Sequence, residues 1–499
     1  MFDFDTNLLK KYFDFLKVKK SNLMFLSEEI AKDLELDLIF FKLNSCFSNI
    51  GKQYFYAKLR ANDEAEFIKM KSLLSSFKNN EIEKEKVSIE LKKLNHRRDY
   101  DIIDLVKDDI TTNNKYYQYA KFSLFSVILI IVCSFFIPKI SLFLVPFFIV
   151  NLIVHYLNKN FVDYYNSIIF RLKNTISVAD KLAGIDFLRD EYQEINLKKF
   201  KKNMTLVEFE TTMASNEYFS VLWIFSEIIK VMFSIEIFTF RNRAKTLNSS
   251  KEELLKLFEC LGKTDVALTL LQIQENYQTC EPVFVKNKEM KIENVYHPFI
   301  ENCVKNTFQL DGNSMVITGS NMSGKTSFMR NIAINVIFAQ NFGFCFADYF
   351  LAPKMKIMSS ISIHDNMNEN KSYYLEEVLR IKEFLVERDE YALILIDEIF
   401  KGTNTKERIA ISKAVLQSLN HEKNIVFVTS HDLEIAQFLQ NHHYDLYYFD
   451  EEVKNNELFF PYLLKRGINH KTNAIRILEM YNYPAKIINK AHELANHAK

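Results

Sequence analysis

The sequence predicts an α/β P-loop domain with a mostly parallel sheet over residues 284–499, preceded by α-helical regions and a transmembrane helical hairpin. Three features carry this expectation. Gly319-Ser320-Asn321-Met322-Ser323-Gly324-Lys325-Thr326 fits the phosphate-loop pattern G-x-x-x-x-G-K-[ST]. The run from Tyr391 to Ile396 is apolar throughout and ends on Asp397-Glu398, as a buried central strand reads. The block from Phe122 to Leu157 carries Lys139 as its one formal charge. The boundaries that follow are a helical region over 1–117, the hairpin over 118–158, a second helical region over 159–283 and the α/β domain over 284–499.

The phosphate loop sits between the strand-like Ser314 to Thr318 and the helix-like run beginning Ser327-Phe328-Met329. Glycines let the backbone wrap so that successive N–H groups face phosphate oxygens. The following helix adds its positive end. Lys325 is expected to reach the β- and γ-phosphates of ATP and Thr326 to hold Mg²⁺; Gly319 to Ser327 form the candidate nucleotide-binding set. The alternative is a chance turn. The chain has only 9 glycines in 499 residues, so two at this spacing before Lys-Thr argue against chance.

The run ending at Asp397-Glu398 would bring both acids to the carboxyl edge of a parallel sheet, where nucleotides bind. Asp397 is then a Mg²⁺ ligand and Glu398 polarises the attacking water. A third apolar run, Ile425 to Thr429, ends on Ser430-His431. His431 at that edge would sense the γ-phosphate, against the plainer role of a structural histidine. Lys325, Glu398 and His431 are the candidate catalytic residues.

Thr318 to Arg330, with its Asn321-Met322 pair and trailing Met329-Arg330, resembles the nucleotide loop of the MutS family of DNA mismatch-repair ATPases. Asp397-Glu398-Ile399-Phe400-Lys401-Gly402-Thr403-Asn404-Thr405 is similar to that family's D-E-x-x-x-G-T-x-T block, and Thr429-Ser430-His431 to its strand ending in histidine. Asn370 to Glu377 resembles the segment whose serine contacts the neighbouring subunit's γ-phosphate, which points to Ser372. An ordinary helix cap is the alternative for Ser372. Tyr296-His297-Pro298 resembles the lead-in to the family's ATPase domain, and Lys471 to Pro484 its closing segment. More weakly, Leu38 to Leu59 and Leu261 to Tyr277 resemble the start and return of its core and lever helices. The resemblance spans residues 30–60 and 255–499. It implies an ABC-like P-loop ATPase on an α-helical core and lever, acting with ATP and Mg²⁺ as a homodimer through the ATPase domain, with mismatched or branched DNA as partner.

Composition is compatible with this. Apolar residues make up 48% of the chain, enough for a sizeable core. A formal charge of +1 gives no bulk basic footprint for nucleic acid. Six cysteines are scattered without C-x-x-C or Cys/His spacing. That implies neither a zinc site nor a disulfide framework and fits a reducing compartment. The amino terminus, Met1 to Asp5, lacks the basic-then-apolar pattern of a signal peptide.

As one helix the block 122–157 would run roughly 54 Å, far beyond a bilayer core. Two helices of about 16–18 residues, turning at Pro138-Lys139, come close to spanning one. Pro146 is expected to kink the second. Tyr116, Tyr117, Tyr119 and Tyr156 are candidate interface anchors, and Lys115, Lys121 and Lys159 flank the outside. That bias puts both termini and the ATPase domain on the cytoplasmic side of the inner membrane. A buried hairpin in a soluble bundle is the competing expectation. Tyr218 to Phe240 contains Glu227, Lys230 and Glu236 and reads as an amphipathic core helix.

Several departures from the family pattern stand out. No mismatch-reading domain precedes the core, and the hairpin stands where the lever helices would run out to a DNA clamp. Ser320 and Ser323 replace the loop's usual proline and glycine, and Asn404 replaces a serine. The expectation is a membrane-anchored, MutS-like ATPase. A membrane-tethered ATPase acting on a protein or membrane partner without DNA is the alternative, and a silent scaffold that binds ATP to dimerise is a second.

Overall fold

The computed structural model describes residues 6–20, 23–111, 114–193, 195, 220–361, 373–400, 403–454, 457–469, 474–481 and 483–497. Ser372, Lys401, Gly402 and Lys471 to Asn473 lie outside the described residues. The chain forms two compact units. The first comprises Met1–Ser21, Asn44–Lys58 and Ser72–Leu271; the second comprises Asn22–Leu43, Leu59–Lys71 and Gln272–Lys499.

The first unit is helical. Its main described helices are α1 (Thr6–Lys19), α2 (Asn49–Lys58), α3 (Asn114–Ser134), α4 (Leu144–Leu182), α5 (Ser220–Met232), α6 (Ile235–Asn248) and α7 (Lys251–Asn276), of which the last belongs to this unit as far as Leu271. Aromatic rings fill its core: Tyr12 lies 4.7 Å from Phe258 and 5.8 Å from Tyr54 between ring centroids. The buried Asp265 carboxylate accepts from the N–H groups of Phe47 (2.9 Å) and Ser48 (2.7 Å) and from Ser48 Oγ (2.6 Å). It thereby satisfies donors at the start of α2 that no helical carbonyl can reach. A Cβ at Gly51 would fall 2.1 Å from Asp265 Oδ2, so only glycine lets this carboxylate sit against α2.

The apolar block forms helices long and apolar enough to cross a membrane. α3 has 21 residues, roughly 32 Å, and exceeds the expected length because the helix begins upstream of the uncharged run. A 3₁₀ turn, Pro138–Phe143, follows. The expected kink at Pro146 does not occur. Pro146 falls in the first turn of α4, where its missing N–H has no intrahelical acceptor to lose. Phe125, Phe135 and Phe136 are 69%, 83% and 84% exposed, so the hairpin is not buried within its unit. One polar centre joins it: Asn151 Oδ1 accepts from Tyr119 Oη and Ser123 Oγ, each at 2.8 Å, and Asn151 Nδ2 donates to the Met232 carbonyl at 2.8 Å. Within the stretch 218–240, the described residues from Ser220 onward belong to two helices rather than one. Ser234, at φ 50°, breaks α5 from α6, and Glu227 and Lys230 form an i,i+3 ion pair at 3.0 Å.

In the second unit, β1 (Val283–Val285), β2 (Glu289–Val295), β3 (Asn306–Asp311) and β5 (Tyr349–Pro353) make a four-stranded sheet in the order β1-β5-β2-β3. The larger sheet contains β4 (Ser314–Thr318), β6 (Met355–Ser360), β7 (Tyr391–Asp397), β8 (Asn424–Thr429), β9 (Tyr444–Phe449) and β10 (Leu464–Arg466), ordered β10-β9-β4-β8-β7-β6. All its pairings are parallel except the edge pair β9/β10. β4, β7 and β8 are buried almost throughout, which accounts for their continuous apolar sequence. Helices α8 (Lys325–Phe342), α9 (Tyr373–Phe384), α10 (Thr405–Leu419) and α11 (Leu433–Gln440) follow β4, β6, β7 and β8. The sheet's core gathers Val316, Ile394, Ile396, Val426, Val428, Leu416 and Ile435.

The segment 22–43 also belongs to this unit. Its helix Glu28–Asp33 is capped by Ser27 Oγ, which accepts from the Ile30 N–H at 3.3 Å. The buried Asp33 carboxylate accepts from Ser359 Oγ (2.7 Å), the Ile361 N–H (3.1 Å) and Arg380 Nη1 (3.2 Å). Arg330, on α8, donates to the Asp33 carbonyl at 2.7 Å and pairs with Glu35.

Candidate functional site

The parallel register sets Thr429 opposite both Asp397 and Ile317. The carboxyl ends of β4, β7 and β8 therefore meet at one edge, and the loop from Gly319 to Gly324 leaves from it.

That loop needs its glycines. Gly319 has φ 145° and Gly324 has φ 101°, both outside the range comfortable for other residues. A Cβ on Gly319 would meet the Phe449 carbonyl oxygen at 2.8 Å, and one on Gly324 the Tyr462 ring at 3.0 Å. Lys325 opens α8 and turns back over the loop, where Nζ donates to the carbonyls of Gly319 (2.9 Å) and Ser320 (2.8 Å). His431 Nε2 is 3.5 Å from the same Nζ.

Thr326 Oγ1 donates to Asp397 Oδ2 at 2.8 Å, and Thr429 Oγ1 donates to Asp397 Oδ1 at 2.6 Å. Thr429 Oγ1 also accepts from the Glu398 N–H at 3.1 Å. His431 Nε2 lies 2.7 Å from Glu398 Oε1 and 2.8 Å from Asn321 Oδ1. Lys325, Thr326, Asp397, Glu398, His431 and Asn321 thus converge on one polar centre. Ser327 follows on the first turn of α8. Met322, at φ 69°, points outward and is 82% exposed.

The loop after β7 is held in a costly backbone conformation. Glu398 has φ 59° and Phe400 φ 58°, a region that non-glycine residues enter only when surroundings enforce it. The enforcing contact comes from α9: the buried Glu377 carboxylate accepts the Phe400 N–H. Sequence reasoning missed three residues here. Thr429 bridges the two acidic positions, Glu377 ties α9 to the acidic loop, and Tyr462 roofs Gly324. Thr429 and Glu377 lie inside the recognised motifs, yet no local pattern marks their roles.

The donor set suits a magnesium nucleotide. A threonine hydroxyl beside a carboxylate offers the hard oxygens Mg²⁺ takes. The hydroxyls of Ser320 and Ser323 are buried without a hydrogen-bond partner, a state that costs free energy until an acceptor arrives. Asn404, in the position where a serine is usual, caps α10 by accepting from the Lys406 N–H at 3.1 Å.

Residues 315–499 match the family model for MutS domain V. A DNA mismatch repair protein MutS from Thermotoga sp. (strain RQ2) is 28% identical over 361 residues, covering 66% of this chain and 45% of that protein. MutS protein homolog 4 from Mus musculus is 28% identical over 257 residues, covering 48% of this chain and 27% of that protein. The likeness to MutS proteins thus includes the carboxyl-terminal α/β domain. MutS domain V is the ATPase domain of MutS homologues, and the geometry above is consistent with an ATPase. The chain spans less than half the length of the MutS relative from Thermotoga sp..

Proposed function

We propose that this chain is a membrane-anchored, MutS-like ATPase that binds and hydrolyses MgATP at an interface between two ATPase domains and moves a helical lever. The convergence of Lys325, Thr326, Asp397, Glu398 and His431 at one sheet edge carries the reading. Lys325 exchanges the loop carbonyls for phosphate oxygens. Thr326 and Asp397 hold Mg²⁺, which when bound neutralises charge on the β- and γ-phosphates. Glu398 takes the proton of the attacking water, and His431, in contact with Glu398 and Asn321, holds it toward the loop. Ser372 completes the partner's site. The domains proposed are 1–117, 118–158, 159–283 and 284–499.

DNA, mismatched or branched, is the partner suggested by the Thermotoga relative, which is called a DNA mismatch repair protein. The exposed apolar hairpin favours a second reading: a membrane-tethered ATPase that acts on a protein or membrane partner without DNA. Both readings place residues 122–157 in the inner membrane with the ATPase domain in the cytoplasm. The deciding experiment measures ATP turnover by the detergent-purified chain with no DNA and with duplex, mismatched and branched DNA at low salt. Stimulation lost on raising salt supports the DNA reading, because phosphate contacts release counterions. Turnover that no DNA changes, with no binding at low salt, selects the second. Absence of Mg²⁺-dependent turnover refutes both.

A further inference from the structure

We propose that Cys280 and Cys345 form a reversible disulfide that restrains the ATPase domain. The two residues face each other in an isolated antiparallel bridge within the second unit. They exchange both backbone hydrogen bonds, Cys280 N–H to the Cys345 carbonyl at 3.0 Å and the reverse at 2.9 Å. Residues so paired have Cα atoms about 5.5 Å apart, inside the range of roughly 4.4–6.8 Å that a disulfide spans. Both are free thiols.

The two sulfurs differ in environment. Cys345 is fully buried, and burial pushes its thiol well above the usual range. Cys280 is half-buried, and the hydrogen bond with Cys345 holds its thiol below the usual range. Cys280 is therefore the attacking group. With hydrogen peroxide as oxidant, the Cys280 thiolate forms an S–O bond as the O–O bond breaks, and the departing hydroxide takes up a proton as water. The Cys345 sulfur then attacks the Cys280 sulfur, the S–O bond breaks, and a second water leaves. Two thiols and one peroxide become one disulfide and two waters.

The position gives the bond a consequence. Cys280 lies between α7 and β1. Cys345 follows Gly343, the left-handed cap that ends α8, the helix that begins with Lys325 and Thr326. The next residue, Phe346, donates its N–H to Asn335 Oδ1 on α8 at 2.7 Å. A covalent link here staples the strand leading into the domain to the far end of the phosphate-loop helix. This regulatory part rests on the ATPase reading.

The test uses the full chain in detergent, treated with hydrogen peroxide, then alkylated and digested without reductant. The expected result is a linked Cys280–Cys345 peptide that dithiothreitol reverses and that Cys280→Ser lacks. Persistence of both thiols at peroxide levels that oxidise free cysteine, or pairing of Cys280 with another cysteine, overturns the proposal. ATP turnover is expected to fall several-fold on oxidation, to recover with dithiothreitol, and to be insensitive to peroxide in Cys280→Ser. A linked protein with unchanged turnover overturns the regulatory part. A linked protein inactive even when reduced upholds the dithiol and overturns the ATPase reading instead.

Discussion

Thr326 and Asp397, 71 residues apart in the chain, are joined by a 2.8 Å hydrogen bond from Oγ1 to Oδ2. The two proposed Mg²⁺ ligands come from different elements, the first turn of α8 and the end of β7. They stand within one bond of each other because β4 and β7 flank β8 in the same sheet. Thr429 Oγ1 secures the other carboxylate oxygen at 2.6 Å.

Replacing Asp397 by Asn keeps the side chain's size but removes the charge proposed to hold the metal. Mg²⁺-dependent ATP turnover is expected to fall roughly 100-fold or more, the order that loss of several kcal/mol of metal-derived stabilisation gives. Steady-state turnover across a Mg²⁺ titration checks it.

Glu398→Gln removes the proposed base while keeping its size. Nucleotide affinity is expected to persist, and single-turnover hydrolysis to slow by roughly 10²–10⁴. An equally active variant would strip Glu398 of its assigned role.

The Asp33 carboxylate is buried and holds Arg380, Ser359 and the Ile361 N–H. Asp33→Ala leaves a largely buried guanidinium without this partner. Removing one member of a buried pair costs about 3 kcal/mol or more. Urea unfolding followed by fluorescence should show a lower midpoint, whereas Glu35→Ala, at an exposed site, should shift it little.

Burial, with Arg330 nearby, pushes His297 down to about 4 from its usual 6.5. The folded state therefore holds this imidazole neutral where the unfolded chain protonates it. Between those values the unfolded state binds more protons, so stability rises with pH. The contribution is fully present above about pH 6.5 and is lost as pH falls toward 4. A His297→Phe variant should flatten that slope in urea midpoints measured across the window.

Leu129 and Ile149, each 51% exposed, sit within the two apolar helices. Arginine at either position should move the chain from the vesicle-bound to the soluble fraction on flotation, since a charge deep in a bilayer costs roughly 2.5–3.5 kcal/mol. Unchanged flotation of the double variant would remove the membrane anchor from the proposal.

Much of the nucleotide domain is legible in the chain. The phosphate loop shows because its glycine spacing answers a local backbone need, visible in φ 145° at Gly319 and 101° at Gly324. Strands β4, β7 and β8 show because full burial removes polar residues from consecutive positions. Other features are silent. Pro146 reads as a kink until the helix start is known to lie at Leu144. Tyr218 to Phe240 reads as one helix because nothing in its composition marks Ser234 as left-handed. The four-stranded sheet escaped notice, since its strands are short and partly exposed.

By itself the sequence determined the phosphate loop, the acidic strand end and the apolar hairpin, since each depends on residues adjacent in the chain. Only the tertiary structure decided that Thr429 bridges Asp397 and Glu398, that Glu377 enforces the strained turn at Phe400, and that two of six scattered cysteines face each other. Those relationships join residues 23 to 65 positions apart. Their register is set by how strands and helices pack, which no local periodicity encodes.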